Sequence, residues 1–144
     1  MNNFNSKKYW ENRYKKGGNS GEGSYGKLAD YKSKFISDFI KENKIRDLIE
    51  FGCGDGNVLK LIKDNVSDLN IFGVDVSFKA IELCKNKLPS DTFYLYENFN
   101  LKNKDLIISM DVILHLIEDN VYNEYMNKLI SSKSKYIIIY SANR

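Results

Sequence analysis

The sequence predicts an α/β chain: a doubly wound parallel sheet of five strands with helices on both faces, preceded by an N-terminal helical lid. Short apolar runs at 48–51, 70–75, 92–96, 105–110 and 136–140 alternate with segments whose apolar residues recur at helical spacing. The runs LIEF, DLIISM and YIIIY are nearly continuous, as in strands covered on both faces. Behind the first run, Gly52, Gly54 and Gly56 fall on alternate positions before a helical pattern begins at Val58. Such a stretch reads as strand, tight turn and helix start. Strands alternating with helices pair in parallel through right-handed crossovers.

In chain order, SKKYWENRYKK (6–16) forms a short amphipathic helix with Tyr9, Trp10, Arg13 and Tyr14 in one turn and Ser6 as its cap. GGNSGEGSYG (17–26) follows, holding five of the nine glycines, too polar to pack and too glycine-rich for regular structure. It is either a flexible linker or a lid hinged on glycines that closes over a ligand with Tyr25. The aromatic residues on both sides favour the lid. From Leu28 to Asn43, a stripe of Leu28, Tyr31, Phe35, Ile36, Phe39 and Ile40 predicts a helix that covers one sheet face.

Val58, Leu61, Ile62 and Val66 mark the helix after the glycine turn, and 70–75 the second strand. Ala80, Ile81, Cys84 and Leu88 mark a helix begun by Ser77 and stopped before Pro89. Strands at 92–96 and 105–110 follow, then a helix with Val121, Tyr122, Tyr125, Met126, Leu129 and Ile130 on one stripe, then the strand at 136–140. The whole is one domain, 1–144, with a lid at 1–27 and a core at 28–144.

Composition narrows the function classes. No apolar run reaches membrane-spanning length and the start lacks the apolar core of a signal peptide, so the expected location is the cytoplasm. Cys53 and Cys84 are isolated, so reduced thiols are expected. The net charge of +3 conceals an asymmetry: residues 1–47 carry eleven Lys and Arg against six Asp and Glu. A basic lobe can meet an anionic partner, yet the arginines are scattered and a solvated lysine-rich face accounts for it. Nucleic acid is not the expected partner.

Glycines are needed where the backbone takes positive φ or touches a ligand, and the helix start behind them offers unpaired N–H groups. In an open parallel sheet, ligands sit beyond the carboxyl ends of the strands beside the switch point. The glycine turn, Asp75 and the stretch Asp111 to His115 all fall on that edge. The pattern is acid-x-Gly-x-Gly-x-Gly, with Glu50 as the acid. Asn57 occupies the place where a dinucleotide fingerprint needs its third glycine, which disfavours an NAD-binding oxidoreductase. His115 is the only histidine and titrates near neutral pH. It is either a general base or a structural hydrogen-bonding group. With Asp111 it supplies two ligands, too few for a zinc site, so no metal is expected.

DLIEFGCGDGNVL (47–59), with Asp75 closing the next strand and SMDVILHL (109–116) after the fourth, resembles the class I S-adenosylmethionine (SAM) dependent methyltransferases. YWENRY with GNSGEGSYG is similar to the N-terminal segment of bacterial small-molecule or glycan-associated members. The resemblance implies a Rossmann-like sheet in the order 3-2-1-4-5. It also implies that SAM is bound and left as S-adenosylhomocysteine. Glu50 would accept from the ammonium group, while Gly52, Cys53, Gly54 and Gly56 approach the amino acid and ribose. Asp75 would take both ribose hydroxyls. Val76 would lie on the adenine face, with Glu97, Asn98 and Phe99 at its edge. Met110 and Asp111 would be further cofactor contacts. The N-terminal helix and glycine loop would close over the methionine end, with Tyr9, Trp10, Arg13, Tyr25 and Gly26 as contacts to cofactor or acceptor and His115 as the catalytic candidate.

The implied function is methyl transfer to a small-molecule or sugar-containing acceptor. The alternatives are a non-catalytic SAM-binding module and an enzyme that uses SAM otherwise, for example by cleaving it. The family sheet has seven strands, whereas the pattern here ends after the fifth. Strand five then becomes an apolar edge: either the chain is a truncated form or another copy covers that edge, and a homodimer or larger assembly through it is expected.

Overall fold

The computed structural model describes residues 4–142. Five strands, β1 (Asp47–Phe51), β2 (Asn70–Asp75), β3 (Thr92–Leu95), β4 (Leu106–Met110) and β5 (Tyr136–Tyr140), pair in parallel in the order β3-β2-β1-β4-β5. Glu50 sits opposite Gly73 on one side and Ile108 on the other, which brings the ends of β1, β2 and β4 level. Alternation along the strands sorts the side chains into two cores. Leu48, Ile71, Leu106 and Ile108 pack under α2 (Gly26–Glu42), α3 (Asn57–Asn65) and α4 (Phe78–Lys87). Ile49, Phe51, Val74 and Ile107 pack under α5 (Asp119–Ser131) with Tyr125 and Leu129. Period-two alternation therefore carries Glu50, Asp75 and Met110 to the face of α2, α3 and α4, at the carboxyl ends of their strands.

Several expectations are corrected. The N-cap of α1 (Ser6–Lys15) is Asn5, whose side chain accepts from Lys8 N, while Ser6 is buried and donates to Glu118 at 2.7 Å. The glycine-rich segment does hold regular structure, a 3₁₀ turn at Glu22–Ser24. The stripe on α2 is rotated: Ala29, Lys32, Ser33, Ile36, Ser37 and Ile40 are buried, whereas Leu28, Tyr31 and Phe35 are exposed. β5 is covered on one face only: Tyr136 and Ile138 pack against the first core, whereas Ile137 and Ile139 on the other face, and Tyr140 at the strand end, are exposed. Ile130, placed on the buried stripe of α5, is exposed as well. β3 ends at Leu95, and Tyr96–Asn98 form a 3₁₀ turn. Among the described residues, no helix is long and apolar enough to cross a membrane.

Candidate functional site

A cavity of about 620 Å³ runs along the carboxyl edge of the sheet, from Val76 and Tyr96 past Gly52, Cys53 and Gly54 to Asp111, Tyr140 and Ala142. Its floor is the glycine turn. Gly52 and Gly54 have φ of +74° and +56°, a region that β-carbon-bearing residues seldom adopt. The space in front of them is held by the protein's own side chains. A Cβ on Gly52 would collide with Val112, and one on Gly54 with Ser20 and Tyr14. A Cβ on Gly56 would press on Cys84. The glycines thus let the lid, the loop after β4 and α4 pack onto the turn, while the main chain at 52–54 remains on the cavity wall.

Two buried acids face this turn. Asp75 accepts from Gly54 N and Ser77 N, one through each oxygen, both at 2.9 Å. The start of α4 is capped by Ser77, as expected, whose hydroxyl accepts from Ala80 N at 3.1 Å. Burial raises the Asp75 pKa to about 6 against the pull of these N–H groups. Glu50 is 3% exposed, and its Oε2 is buried without a hydrogen-bond partner. Burial raises its pKa to about 8; Lys32 opposes the rise, and Asp75 and Asp55 add to it. A buried polar atom without a partner is rare and costs about 1–3 kcal/mol. Asp91 Oδ2 and the Tyr96 hydroxyl share this state among the described residues, and of the three only Glu50 and Tyr96 lie on the cavity wall.

The lid is fastened through Asp55, in the middle of the glycine turn. Its Oδ2 accepts from Ser20 N at 3.2 Å and from the Tyr25 hydroxyl at 2.5 Å, and its Oδ1 from Asn57 N at 3.1 Å. Asp55 N donates back to Ser20 Oγ at 2.9 Å, and the Asn57 side chain donates to Ser24 O. Burial works against ionisation of Asp55. The hydrogen bond from Tyr25, the charge of Lys87 and the N–H donors of Asn57 and Ser20 outweigh it and hold the carboxyl below its ordinary range.

At the β4 end, Asp111 has a φ of +57° and its N–H donates to Tyr140 O. Its Oδ2 accepts from Lys32 Nζ at 2.7 Å, and Lys32 is only 1% exposed. His115 lies edge-on to Trp10 with centroids 5.2 Å apart, and the Arg13 guanidinium stands over Trp10 while Arg13 Nε donates to Asn19 O.

Of the residues expected at the site, Trp10, Arg13, Glu50, Gly52, Cys53, Gly54, Asp75, Val76, Met110, Asp111 and His115 line the cavity. Tyr25 fastens the lid from outside it, and Gly26 and Gly56 also lie off its wall. Glu97, Asn98 and Phe99 are not on the wall either. Glu97 is exposed and pairs with Lys7, while Phe99 is buried against Phe51 with centroids 4.7 Å apart. Sequence reasoning missed Lys32, Asp55 and Tyr96. Tyr96 lines the cavity with its buried hydroxyl unpartnered. The position of Asp55 between Gly54 and Gly56 was the one signal for it; Lys32 and Tyr96 carried none. Among the described residues, no group of three His, Cys, Asp or Glu side chains could hold a metal ion.

The family model described as "Methyltransferase domain" matches residues 49–127, more than half of the chain. A malonyl-[acyl-carrier protein] O-methyltransferase of Brevibacillus brevis is 28% identical over 94 residues, 58% of this chain and 34% of that protein. The tRNA N(3)-methylcytidine methyltransferase trm140 of Schizosaccharomyces pombe is 36% identical over 80 residues, 53% of this chain and 26% of that protein. This chain thus spans about a third or less of the length of these two relatives. Among solved structures, SAM-bound CalS10, an amino pentose methyltransferase from Micromonospora echinaspora, superposes with a TM-score of 0.64 at 14% identity. That likeness covers 93% of this chain and 54% of the other, and it extends to the fold. With the glycine turn, the strand order and the match over 49–127 in agreement, the chain belongs to the methyltransferase-domain family.

Proposed function

We propose that the chain binds SAM across the ends of β1, β2 and β4 and directs its methyl group to a small-molecule or sugar-containing acceptor. The observation that carries this reading is the unpartnered, buried Glu50 Oε2 beside the glycine turn. An α-ammonium group supplies the donor that this atom lacks, and a nucleobase edge supplies one for the Tyr96 hydroxyl. The residues present therefore fit the cofactor.

SAM brings an activated methyl group on a sulfonium, so the chain's own work is to bind, orient and exclude water. Asp75 keeps lone pairs for ribose hydroxyls while its N–H contacts hold the carboxylate still. The lid, fastened at Asp55, closes the cavity toward solvent. His115, on the cavity wall and edge-on to Trp10, is the candidate to take a proton from an acceptor hydroxyl or amine; in the alternative it shapes the pocket as a structural group. The mouth suits a small ring-bearing acceptor better than a polyanion. Tyr9, Trp10, Leu114 and Leu116 line the cavity, as do Glu22 and Glu118; its cation Arg13 is engaged by Asn19 O and the Trp10 ring. Lys7 is paired with Glu97, and Lys32 with Asp111. Among the relatives, the amino pentose enzyme is thus the nearer guide to the acceptor than the tRNA enzyme. The unbridged Cys53 and Cys84, 3.8 Å apart at sulfur, suit a reducing compartment such as the cytoplasm.

Asp75→Ala is expected to weaken SAM binding by about 1–3 kcal/mol, measured by calorimetric titration. Unchanged affinity would contradict the role given to Asp75. Transfer of a labelled methyl group to aminosugar acceptors, with SAM alone left intact, distinguishes methyl transfer from a binding-only or SAM-cleaving protein. Copies of the chain are also expected to associate through the exposed edge of β5. Light scattering at tens of micromolar should give a dimer mass, and a monomer mass would contradict this.

A further inference from the structure

We infer that Glu11 is a positioning residue, the latch that docks α1 over the cavity, and that its release sets the rate at which the cofactor enters and leaves. The inference rests on the SAM reading above for the identity of what passes. α1 covers the cavity with Ser6, Tyr9, Trp10, Arg13 and Tyr14, yet of its ten residues only Ser6 and Tyr14 are buried. A helix that buries so little apolar surface belongs to the least stable part of a fold, and its polar attachments decide where it sits. The pair of Lys7 with Glu97 is exposed on both sides and contributes little. The Tyr14 hydroxyl is bonded to Ser20, which is itself part of the lid. Two carboxylates remain as anchors on the core. Glu118 receives the N–H and the hydroxyl of Ser6, and Glu11 reaches α4.

Glu11 is not on the cavity wall. It faces a second hollow, between α1 and α4, with Lys8, Asn12, Phe78 and Leu95 around it. Its side chain is 19% exposed. Oε2 accepts from the Ser77 hydroxyl at 2.5 Å and from Lys79 N at 3.3 Å. A helix start leaves N–H groups unpaired and favours a negative charge, and the first turn of α4 has no acidic residue of its own. Ser77 takes the N–H of Ala80, and Glu11 takes that of Lys79. A carboxylate 66 residues earlier in the chain thus completes the cap. Bonds to an ionised acceptor are about twice as strong as neutral ones, which gives this contact weight beyond its size. It also ends beside the ribose carboxylate, because Ser77 N donates to Asp75 Oδ1. Since Glu11 touches protein groups outside the cavity, its loss should speed entry and exit alike and leave their ratio unchanged.

The test follows the fluorescence of Trp10, the only tryptophan, which lies on the cavity wall, in stopped-flow mixing with S-adenosylhomocysteine. In Glu11→Ala both association and dissociation should quicken by roughly tenfold or more, the scale of hydrogen bonds to a charged group, at constant affinity. Loss of a ligand contact raises dissociation alone, and a general loss of stability does not hasten association. Glu11→Gln keeps an acceptor oxygen without the charge and should fall between. In the ligand-free chain, hydrogen exchange over 6–15 should accelerate in Glu11→Ala while β1 and β4 keep their protection. Unchanged rates, or faster dissociation with unchanged association, overturn the inference and leave the SAM reading standing. Unchanged exchange over 6–15 overturns the latch itself. If the wild type does not bind S-adenosylhomocysteine, the SAM reading falls first and the gating claim with it, while the exchange comparison still decides the latch. Should Glu11→Ala fail to fold, Glu11→Gln decides the question by the same two rates.

Discussion

Replacing Glu50 by glutamine should raise the thermal stability of the ligand-free protein at pH 8 and weaken SAM binding by roughly tenfold or more. Both effects follow from one buried carboxyl. Its pKa is about 8 in the folded chain against an ordinary 4.5. Below 4.5 the group is protonated whether the chain is folded or not, and it contributes no pH dependence. Between 4.5 and about 8 the unfolded chain releases the proton and the folded chain retains it, so stability falls as pH rises. Above 8 both forms are ionised, and the full penalty, on the order of 5 kcal/mol, is present. Glutamine keeps the shape and has no charge to desolvate. Melting curves of wild type and Glu50→Gln should therefore diverge by several degrees at pH 8 and converge toward pH 4.5. Ligand binding runs the other way. An ammonium group favours ionised Glu50, so wild-type SAM affinity should rise from pH 6 to pH 8, and the variant should lose that slope. Equal melting temperatures at pH 8 together with equal SAM affinity would remove Glu50 from the site.

Asp55→Ala should lower stability by about 2–4 kcal/mol and free the lid. The carboxylate is 2% exposed and accepts from Ser20 N, the Tyr25 hydroxyl and Asn57 N while standing 3.6 Å from Lys87 Nζ. Truncation leaves those donors without their acceptor in a site that water reaches poorly, and that desolvation is the larger part of the loss. For a chain of this length, the melting temperature should fall by roughly 10 °C. Limited proteolysis should then cut between Gly17 and Tyr25, and SAM should bind more weakly because its cover no longer closes. Asp55→Asn, which retains one acceptor oxygen, should cost about half as much. Unchanged proteolysis in the alanine variant would mean that the lid is held by other contacts.

The parts of this fold that are decided locally were legible in the sequence. A five-residue apolar run needs only its own side chains to read as a strand, and Gly52 followed by Gly54 announces a turn. The ends of β1, β2 and β4 followed, and with them Glu50, Asp75 and Asp111. The helix faces were harder, because burial on α2 is set by what the sheet presents to it. Helical spacing found Ile36 and Ile40, but it also favoured Leu28, Tyr31 and Phe35, which are exposed, while the structure turns Ala29 and Lys32 inward. A lysine is read as solvated unless its partner is known, and Asp111 lies 79 residues away. The stretch after β3 failed for the same reason. Phe51 and Tyr94 draw Phe99 into the second core, and the 3₁₀ turn at Tyr96–Asn98 leaves Glu97 at the surface.

The most direct measurement is calorimetric titration of the chain with SAM, S-adenosylhomocysteine and NAD at pH 7.5. Binding of one SAM and one S-adenosylhomocysteine per chain, with no heat from NAD, is the predicted result. Absence of binding by both sulfur nucleosides, or saturable binding of NAD, would contradict the account.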